Sequence, residues 1–503
     1  MIDAIFENLR EYWQLHSLLA LYTVMLAWHA WKGNKDTKGL ADYYVGGRSM
    51  GGVVIGLSFF ATYGSTNSFV GFAGQSYAWG LPWFLLVPFL VGFALLAWIA
   101  IAPRLRRFTE ALDSLTIADF VGLRFSSTPA RVFAANIILF ASFFYLSAVF
   151  QGIGHLLEYY MEMPYVWAIG VVFLVTMLYT AVGGFISVVR TDAIQGVVLA
   201  IAGIVLIWGT ASAAGGLGAM ESLRATPEGA QLLSFRGGIA LPLLLGTLFS
   251  ATVKMAVEPR QLSRFYALAD ARALRTGMWV SVGLFAVVYA CLVPLGLFAH
   301  GILGSGITDT DLVVPQLLIS REVFSSGTAA FLMVAMVAAA MSSVDSVLLV
   351  MASTCERDIV GIFRPGQTDA GALRQTRWYV ALFASITAVI SLNPASGIVT
   401  LTAFSGALYA ACFFPAVLLG LFWRRGNGPV VMSSFVAGLV VLLVWEYVPG
   451  SAVIHEVFPA VLLSFGAYVG VAVLTPPARV ETVDRLFGEL ETEALAAASA
   501  VRG

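Results

Sequence analysis

The 503-residue chain is 59% hydrophobic and 11% charged, with a formal net charge of −1; soluble domains carry about 25% charged residues. This excludes an ordinary soluble domain and gives no basis for nucleic-acid binding, so the chain is expected to be an all-α polytopic protein embedded in a lipid bilayer. Cys291, Cys355 and Cys412 stand far apart, without disulfide or metal-ligand spacing.

About 20 apolar residues cross a bilayer as a helix. Runs of that kind lie at about 15–31, 51–79, 81–102, 132–152, 164–186, 193–213, 239–257, 278–300, 328–353, 379–392, 398–423, 430–448 and 457–474, which predicts thirteen transmembrane helices. Asp3, Glu7, Arg10 and Glu11 precede the first run, and its length suits a span better than a cleaved signal. Basic residues gather on the cytoplasmic side of a membrane protein. One set of loops holds Lys32, Lys35, Lys38, Arg48, Arg104, Arg106, Arg107, Arg124, Arg131 and Arg190. It continues with Arg260, Arg264, Arg272, Arg275, Arg357, Arg364, Arg374, Arg377, Arg424 and Arg425, then the tail with Arg479, Arg485 and Arg502. The opposite set holds Arg10, Arg224, Arg236 and Arg321. The N-terminus is therefore expected outside and the C-terminus in the cytoplasm. Residues 1–475 read as one transmembrane transporter domain in a cell membrane, and 476–503 as a short cytoplasmic tail whose 480–498 stretch, with Glu and Leu at helical spacing, reads as a solvated helix ahead of one that lies on the membrane surface or bundles.

Two spans carry polar chemistry. The second reads Ala61-Thr62-Tyr63-Gly64-Ser65-Thr66-Asn67-Ser68 at its middle, with several small hydroxyls and no charge. Small residues in a spanning helix allow close packing; clustered at mid-span, they equally suit an unwound segment whose carbonyls line a cavity. The ninth holds Ser342, Ser343, Asp345 and Ser346 deep in an apolar run. Such groups in hydrocarbon are costly unless they meet partners, and neutral or anionic oxygens suit a hard cation such as Na⁺. The ninth span and a broken second span are expected to supply the two halves of a cation site.

Lys254 is the one basic residue placed inside a span, about two turns from Arg260. It can pair with Glu258 one turn on, snorkel toward the cytoplasm, or act as the counter-charge of an anionic solute.

Four stretches in chain order carry a resemblance: Asp42-Tyr43-Tyr44-Val45-Gly46-Gly47-Arg48-Ser49-Met50-Gly51; Gly183-Gly184-Phe185-Ile186 leading to Thr191-Asp192-Ala193-Ile194-Gln195-Gly196; Glu258-Pro259-Arg260-Gln261-Leu262-Ser263-Arg264-Phe265; and Ser342-Ser343-Val344-Asp345-Ser346 followed by Asp358. Together they resemble the sodium/solute symporter family, and the second-span motif is most similar to its pantothenate and monocarboxylate branches. The resemblance implies an inverted five-plus-five core with broken helices, with repeats at about 51–213 and 239–423, and peripheral spans at 15–31, 430–448 and 457–474. It implies Na⁺ as coupling ion, held by the carbonyls of Ala61, Gly64 and Ala339 and the hydroxyls of Ser342 and Ser343. Asp192 corresponds to a carboxylate implied in sodium release, although capping a helix N-terminus explains it equally. Asp345 either orients the serines, attracts the ion or pairs with an arginine. Solute contacts are expected from Ser65, Thr66, Asn67, Ser68, Gln151, Lys254, Thr402, Ser405 and Tyr409. The implied function is Na⁺-coupled uptake of a small carboxylate by a functional monomer; a sugar or amino acid is the alternative solute. Some relatives carry an acidic residue where this chain has Tyr63, which keeps a proton-coupled variant in play. A membrane sensor is disfavoured by the short tail and an enzyme by the five scattered histidines, none linked to a triad.

Overall fold

The computed structural model describes residues 10–235, 239–364, 366–394 and 396–502, with side chains as far as 493. Asp3, Glu7, Arg236 and the Arg502 side chain lie outside these. The main helices are α1 (Trp13–Asp36), α2 (Gly52–Tyr63), α3 (Asn67–Trp79), α4 (Leu81–Ala111), α5 (Ile117–Arg124), α6 (Thr128–Met161), α7 (Tyr165–Ala213) and α8 (Leu241–Val257). They continue as α9 (Pro259–Ala267), α10 (Ala271–Leu303), α11 (Ser326–Phe363), α12 (Asp369–Ser391), α13 (Ile398–Phe422), α14 (Gly428–Tyr447), α15 (Val457–Leu474) and α16 (Glu481–Arg502).

Among the described residues nine helices are long and apolar enough to cross a membrane, or ten when the bent pair α2 and α3 counts as one span. The expectation of thirteen differs at three places. α7, at 49 residues, covers two expected runs, and α1 and α12 occupy the runs at 15–31 and 379–392 without meeting that apolarity.

α7 is divided at Gly184, where φ is 61° and ψ −171°, a conformation open essentially to glycine alone. A β-carbon there would also lie 2.5 Å from the Tyr43 ring. Small residues elsewhere bring helices together, as expected of a bilayer protein. α2 meets α10 so closely that a β-carbon on Gly56 would lie 2.7 Å from the Gly277 carbonyl oxygen.

Two helices are broken. α2 ends at Tyr63, Gly64 leaves helical geometry with ψ at 106°, and α3 departs at 61° to α2. The second break was not expected. Glu258 is extended (φ −72°, ψ 129°) and Pro259 opens α9, because proline disfavours helical geometry in the residue before it yet is preorganised for a first helical turn. α8 and α9 thus form one interrupted span, Leu241–Ala267. The expected end at Val257, with Arg260 and Arg264 in a cytoplasmic loop, is corrected: each arginine is 1% exposed. The two breaks fall in the first helix of each expected repeat.

α11 lies at the centre. In its most apolar window 89% is buried, against 33% for α4, and it packs on α7, α6, α1, α12 and α2. The tail helix α16 is docked, where a solvated helix was expected. Val483, Leu486 and Phe487 are buried, and ion pairs join Arg107 to Glu493 (2.8 Å) and Arg424 to Asp484 (2.9 Å).

Candidate cation and solute site

The last carbonyls of a helix have no partner within it and carry the negative end of its dipole. In α2 these are the groups nearest the break. The Phe60 carbonyl is closed by the Gly64 N–H at 3.0 Å. The Ala61 carbonyl accepts from the Ser342 hydroxyl at 3.0 Å, and Ser342 also lies 2.8 Å from the Ala339 carbonyl. Ser343 donates to the Thr62 carbonyl at 3.0 Å. The adjacent serines, about 100° apart around α11, reach two successive carbonyls of α2. Ala61, Ala339, Ser342 and Ser343, four of the five residues that the resemblance implies for the ion, thus lie together. Gly64 closes the same helix end, without a hydrogen bond to the serines among the described contacts. These neutral oxygens are of the hard kind that suits a cation such as Na⁺.

Below the serines sits a second cluster. Asp192 Oδ2 accepts from Ser58 (2.7 Å), Thr62 Oγ1 (2.9 Å) and Arg264 Nη2 (2.7 Å). The same Arg264 nitrogen donates to Thr62 Oγ1 (2.7 Å) and Ser346 (2.6 Å). Asp192 does not cap a helix: it lies within α7, eight residues beyond the Gly184 break. Asp345 accepts from Tyr179 (2.6 Å) and Ser346 (3.2 Å), so neither an arginine pair nor direct orientation of Ser342 and Ser343 describes it. Arg264, Tyr179 and Thr62 were not assigned roles from sequence.

On the other side of the break, the start of α3 meets the middle of α6 and the start of α13. A β-carbon on Gly152 would lie 2.7 Å from Thr66 Oγ1 and 3.3 Å from the Ile398 side chain. Thr66 Oγ1, Asn67 Oδ1, Gln151 Oε1 and Ser405 Oγ are buried without a hydrogen-bond partner. An unmet buried polar group costs about 1–3 kcal/mol; Thr66 and Asn67 lie at the start of α3, Gln151 on α6 and Ser405 on α13. Of the other predicted contacts, Ser68, Thr402 and Tyr409 have their hydroxyls engaged, and Ser65 its backbone N–H. Ser68 bonds Tyr289 of α10 (2.7 Å) and the Ser65 N–H (3.3 Å); the Thr402 hydroxyl turns back to the Ile398 carbonyl (2.9 Å); Tyr409 reaches Ser142 of α6 (3.1 Å).

Lys254 is 3% exposed. Its ammonium donates to the Thr402 carbonyl at 3.3 Å and lies 5.1 Å from the centre of the Tyr145 ring. The expected pair with Glu258 is not formed: Glu258 Oε1 is held by Arg260 Nε at 2.6 Å. Snorkelling is excluded too, since α9 continues the span beyond it. Arg260 also donates to the Thr62 carbonyl (2.6 Å) and the Tyr145 hydroxyl (2.9 Å). The signal that could have placed Arg260 and Arg264 inside the bundle is Pro259: a proline after an extended residue starts a new helical turn, and arginines four apart then share one of its faces.

The profile of the Sodium:solute symporter family matches residues 43–438. The Osmoregulated proline transporter OpuE of Bacillus subtilis (strain 168) is 30% identical over 486 residues, covering 94% of this chain and 97% of that protein. The Sodium/pantothenate symporter of Haemophilus influenzae is 30% identical over 427 residues, covering 80% and 84%. Among solved structures, that of a Na⁺-coupled sialic acid symporter in a substrate-bound outward-open state has a TM-score of 0.81 at 18% identity, covering 93% of this chain and 98% of its own. That last likeness is one of fold.

Proposed function

Since the chain belongs to the Sodium:solute symporter family, a family of multi-pass membrane transporters that couple solute uptake to Na⁺, we propose that its solute is a small molecule bearing a carboxylate. The observation that carries this reading is Lys254, a buried ammonium with no carboxylate within ion-pair distance among the described residues. A buried charge calls for a partner, and the unpartnered polar atoms of Thr66, Asn67, Gln151 and Ser405, at the start of α3 and on α6 and α13, are candidates for neutral contacts to the rest of a solute. Proline and pantothenate, named in the relatives, both carry a carboxylate, so the two kinds of relative agree on that group while differing in the rest of the molecule.

In this reading Ala61, Gly64, Ala339, Ser342 and Ser343 hold one Na⁺, Asp192 and Asp345 line its path, and Lys254 faces the solute carboxylate. At 100 mV a single charge entering the cell contributes about 2.3 kcal/mol, to which the Na⁺ gradient adds. The distribution of lysine and arginine supports an outside N-terminus and a cytoplasmic C-terminus in the cell membrane. The site lies within one chain, which supports a functional monomer.

The test is thermal unfolding of the purified protein with L-proline, pantothenate, other small carboxylates and sugars, each in NaCl and in KCl, because a ligand of the folded state raises its stability by mass action. A carboxylate that raises the midpoint in NaCl and not in KCl is the expected outcome. A shift given only by sugars would reject the role of Lys254.

A further inference from the structure

The Thr62 carbonyl accepts two hydrogen bonds from two different helices. Ser343 of α11 donates at 3.0 Å from the cation side, and Arg260 of α9 donates at 2.6 Å from the solute side. Both carbonyl lone pairs are therefore used. Ser343 has a single hydroxyl hydrogen, and giving it to Thr62 leaves its own lone pairs free for a cation. Where the Thr62 carbonyl points decides where those lone pairs point.

Arg260 is well placed to fix that carbonyl. Its guanidinium is tied to Glu258 at 2.6 Å and to the Tyr145 hydroxyl at 2.9 Å, and lies 4.0 Å from the centre of the Tyr145 ring. A guanidinium is a rigid fork, so three of its contacts made in fixed directions immobilise the fourth group it meets. The α2 terminus thus presents successive carbonyls to two different cationic partners: Ala61 faces the proposed ion site, and Thr62 faces a tethered guanidinium. Glu258 beside Arg260 makes the couple electrically neutral, so it orients the terminus without adding net charge next to the ion.

We infer that Arg260 is a positioning residue for the cation site, setting Na⁺ affinity through the Thr62 carbonyl and the Ser343 hydroxyl while touching no proposed ligand of the ion. The inference rests on the reading of Ser343 as a Na⁺ ligand. Of Lys254 and Arg260, Arg260 alone reaches the Thr62 peptide among the described contacts; Lys254 shares with it only the Tyr145 ring.

The experiment is a cycle read by the NaCl concentration that gives half of the maximal rise in unfolding midpoint, with choline chloride keeping ionic strength constant. The double variant Glu258→Gln/Arg260→Gln removes the fork with no change of net charge, which separates positioning from electrostatic repulsion. Loss of an outer-shell partner weakens a metal site about 10- to 100-fold, and we expect the half-point of the double variant to rise by about tenfold. Ser343→Ala should raise it at least as much, and the triple variant no further than Ser343→Ala alone. Multiplying effects in the triple variant, or an unmoved half-point in the double, would overturn the inference, since a merely structural pair lowers the midpoint in choline chloride and leaves the half-point alone. An unmoved half-point in Ser343→Ala would instead reject the cation site itself. Tyr145→Phe, which removes one support of the fork and strands no charge, decides the matter if the double variant does not fold. It should raise the half-point in the same direction, and no rise there counts against the inference.

Discussion

The two broken helices are interrupted by opposite chemistry. α2 and α3 part at Gly64, Ser65 and Thr66, among small neutral residues, whereas α8 and α9 part at Glu258 and Pro259, with Lys254, Arg260 and Arg264 buried on either side. A neutral break frees carbonyls whose only demand is for a cation or a hydroxyl. A charged break must settle its ions in low dielectric, and it does so on its counterpart: Arg260 takes the Thr62 carbonyl and Arg264 the Thr62 hydroxyl. With its side-chain amide turned to satisfy both contacts, Gln261 donates to the Phe59 carbonyl (3.3 Å) and accepts from the Tyr63 N–H (3.2 Å). The charged break thus ties down the end of α2 beside its neutral counterpart.

That division can be broken from the charged side first. Arg264→Ala strands Asp192 in the interior, and removal of one partner of a buried ion pair costs about 3–5 kcal/mol. The expected outcome is a large fall in the unfolding midpoint, partly recovered by adding Asp192→Asn; a small fall would mean that the neutral break stands without its charged counterpart. Lys254→Gln sharpens the comparison at the solute. Loss of a hydrogen bond to a charged group costs about 1.5–3 kcal/mol, so KM for a carboxylate solute should rise by about tenfold or more with the Na⁺ half-point unchanged. An equal loss for uncharged solutes would make Lys254 a packing residue. The smallest effect belongs to Tyr63→Phe. Tyr63 ties α2 to α8 through the Ala251 carbonyl at 3.0 Å, one neutral hydrogen bond worth about 1 kcal/mol. A slightly lower midpoint with intact Na⁺ dependence is expected, and loss of Na⁺ dependence would give Tyr63 a part in ion coupling.

The neutral break was legible in sequence and the charged one was not. Ala61 to Ser68 and the Ser342-Ser343 pair are polar residues set in apolar runs, a contrast visible without any structure. Arg260 and Arg264 follow an apolar run, and a basic residue at the end of a span normally marks the cytoplasmic boundary. Counting charges therefore placed in a loop two arginines that are buried within an interrupted span. Their neutralising partners explain the error: Glu258 is two residues away, but Asp192 is 72 positions away, and no local pattern announces that meeting. The same limit hid the engagement of Tyr409 with α6 and the docking of α16, both of which depend on surfaces that only the assembled bundle provides.

Gly184 bears on how the chain is made rather than on how it works. At about 1.5 Å per residue, the 49 residues of α7 would form a rod roughly twice as long as a bilayer with its headgroups is thick. The rod is interrupted at one residue, which permits the kink through a backbone angle denied to every side chain and fits a gap beside Tyr43 too narrow for a methyl group. The consequence concerns assembly: a side chain at Gly184 must strain the backbone and push on Tyr43, so Gly184→Ala is expected to lower the yield of folded protein, and an undiminished yield would show that the kink forms without glycine.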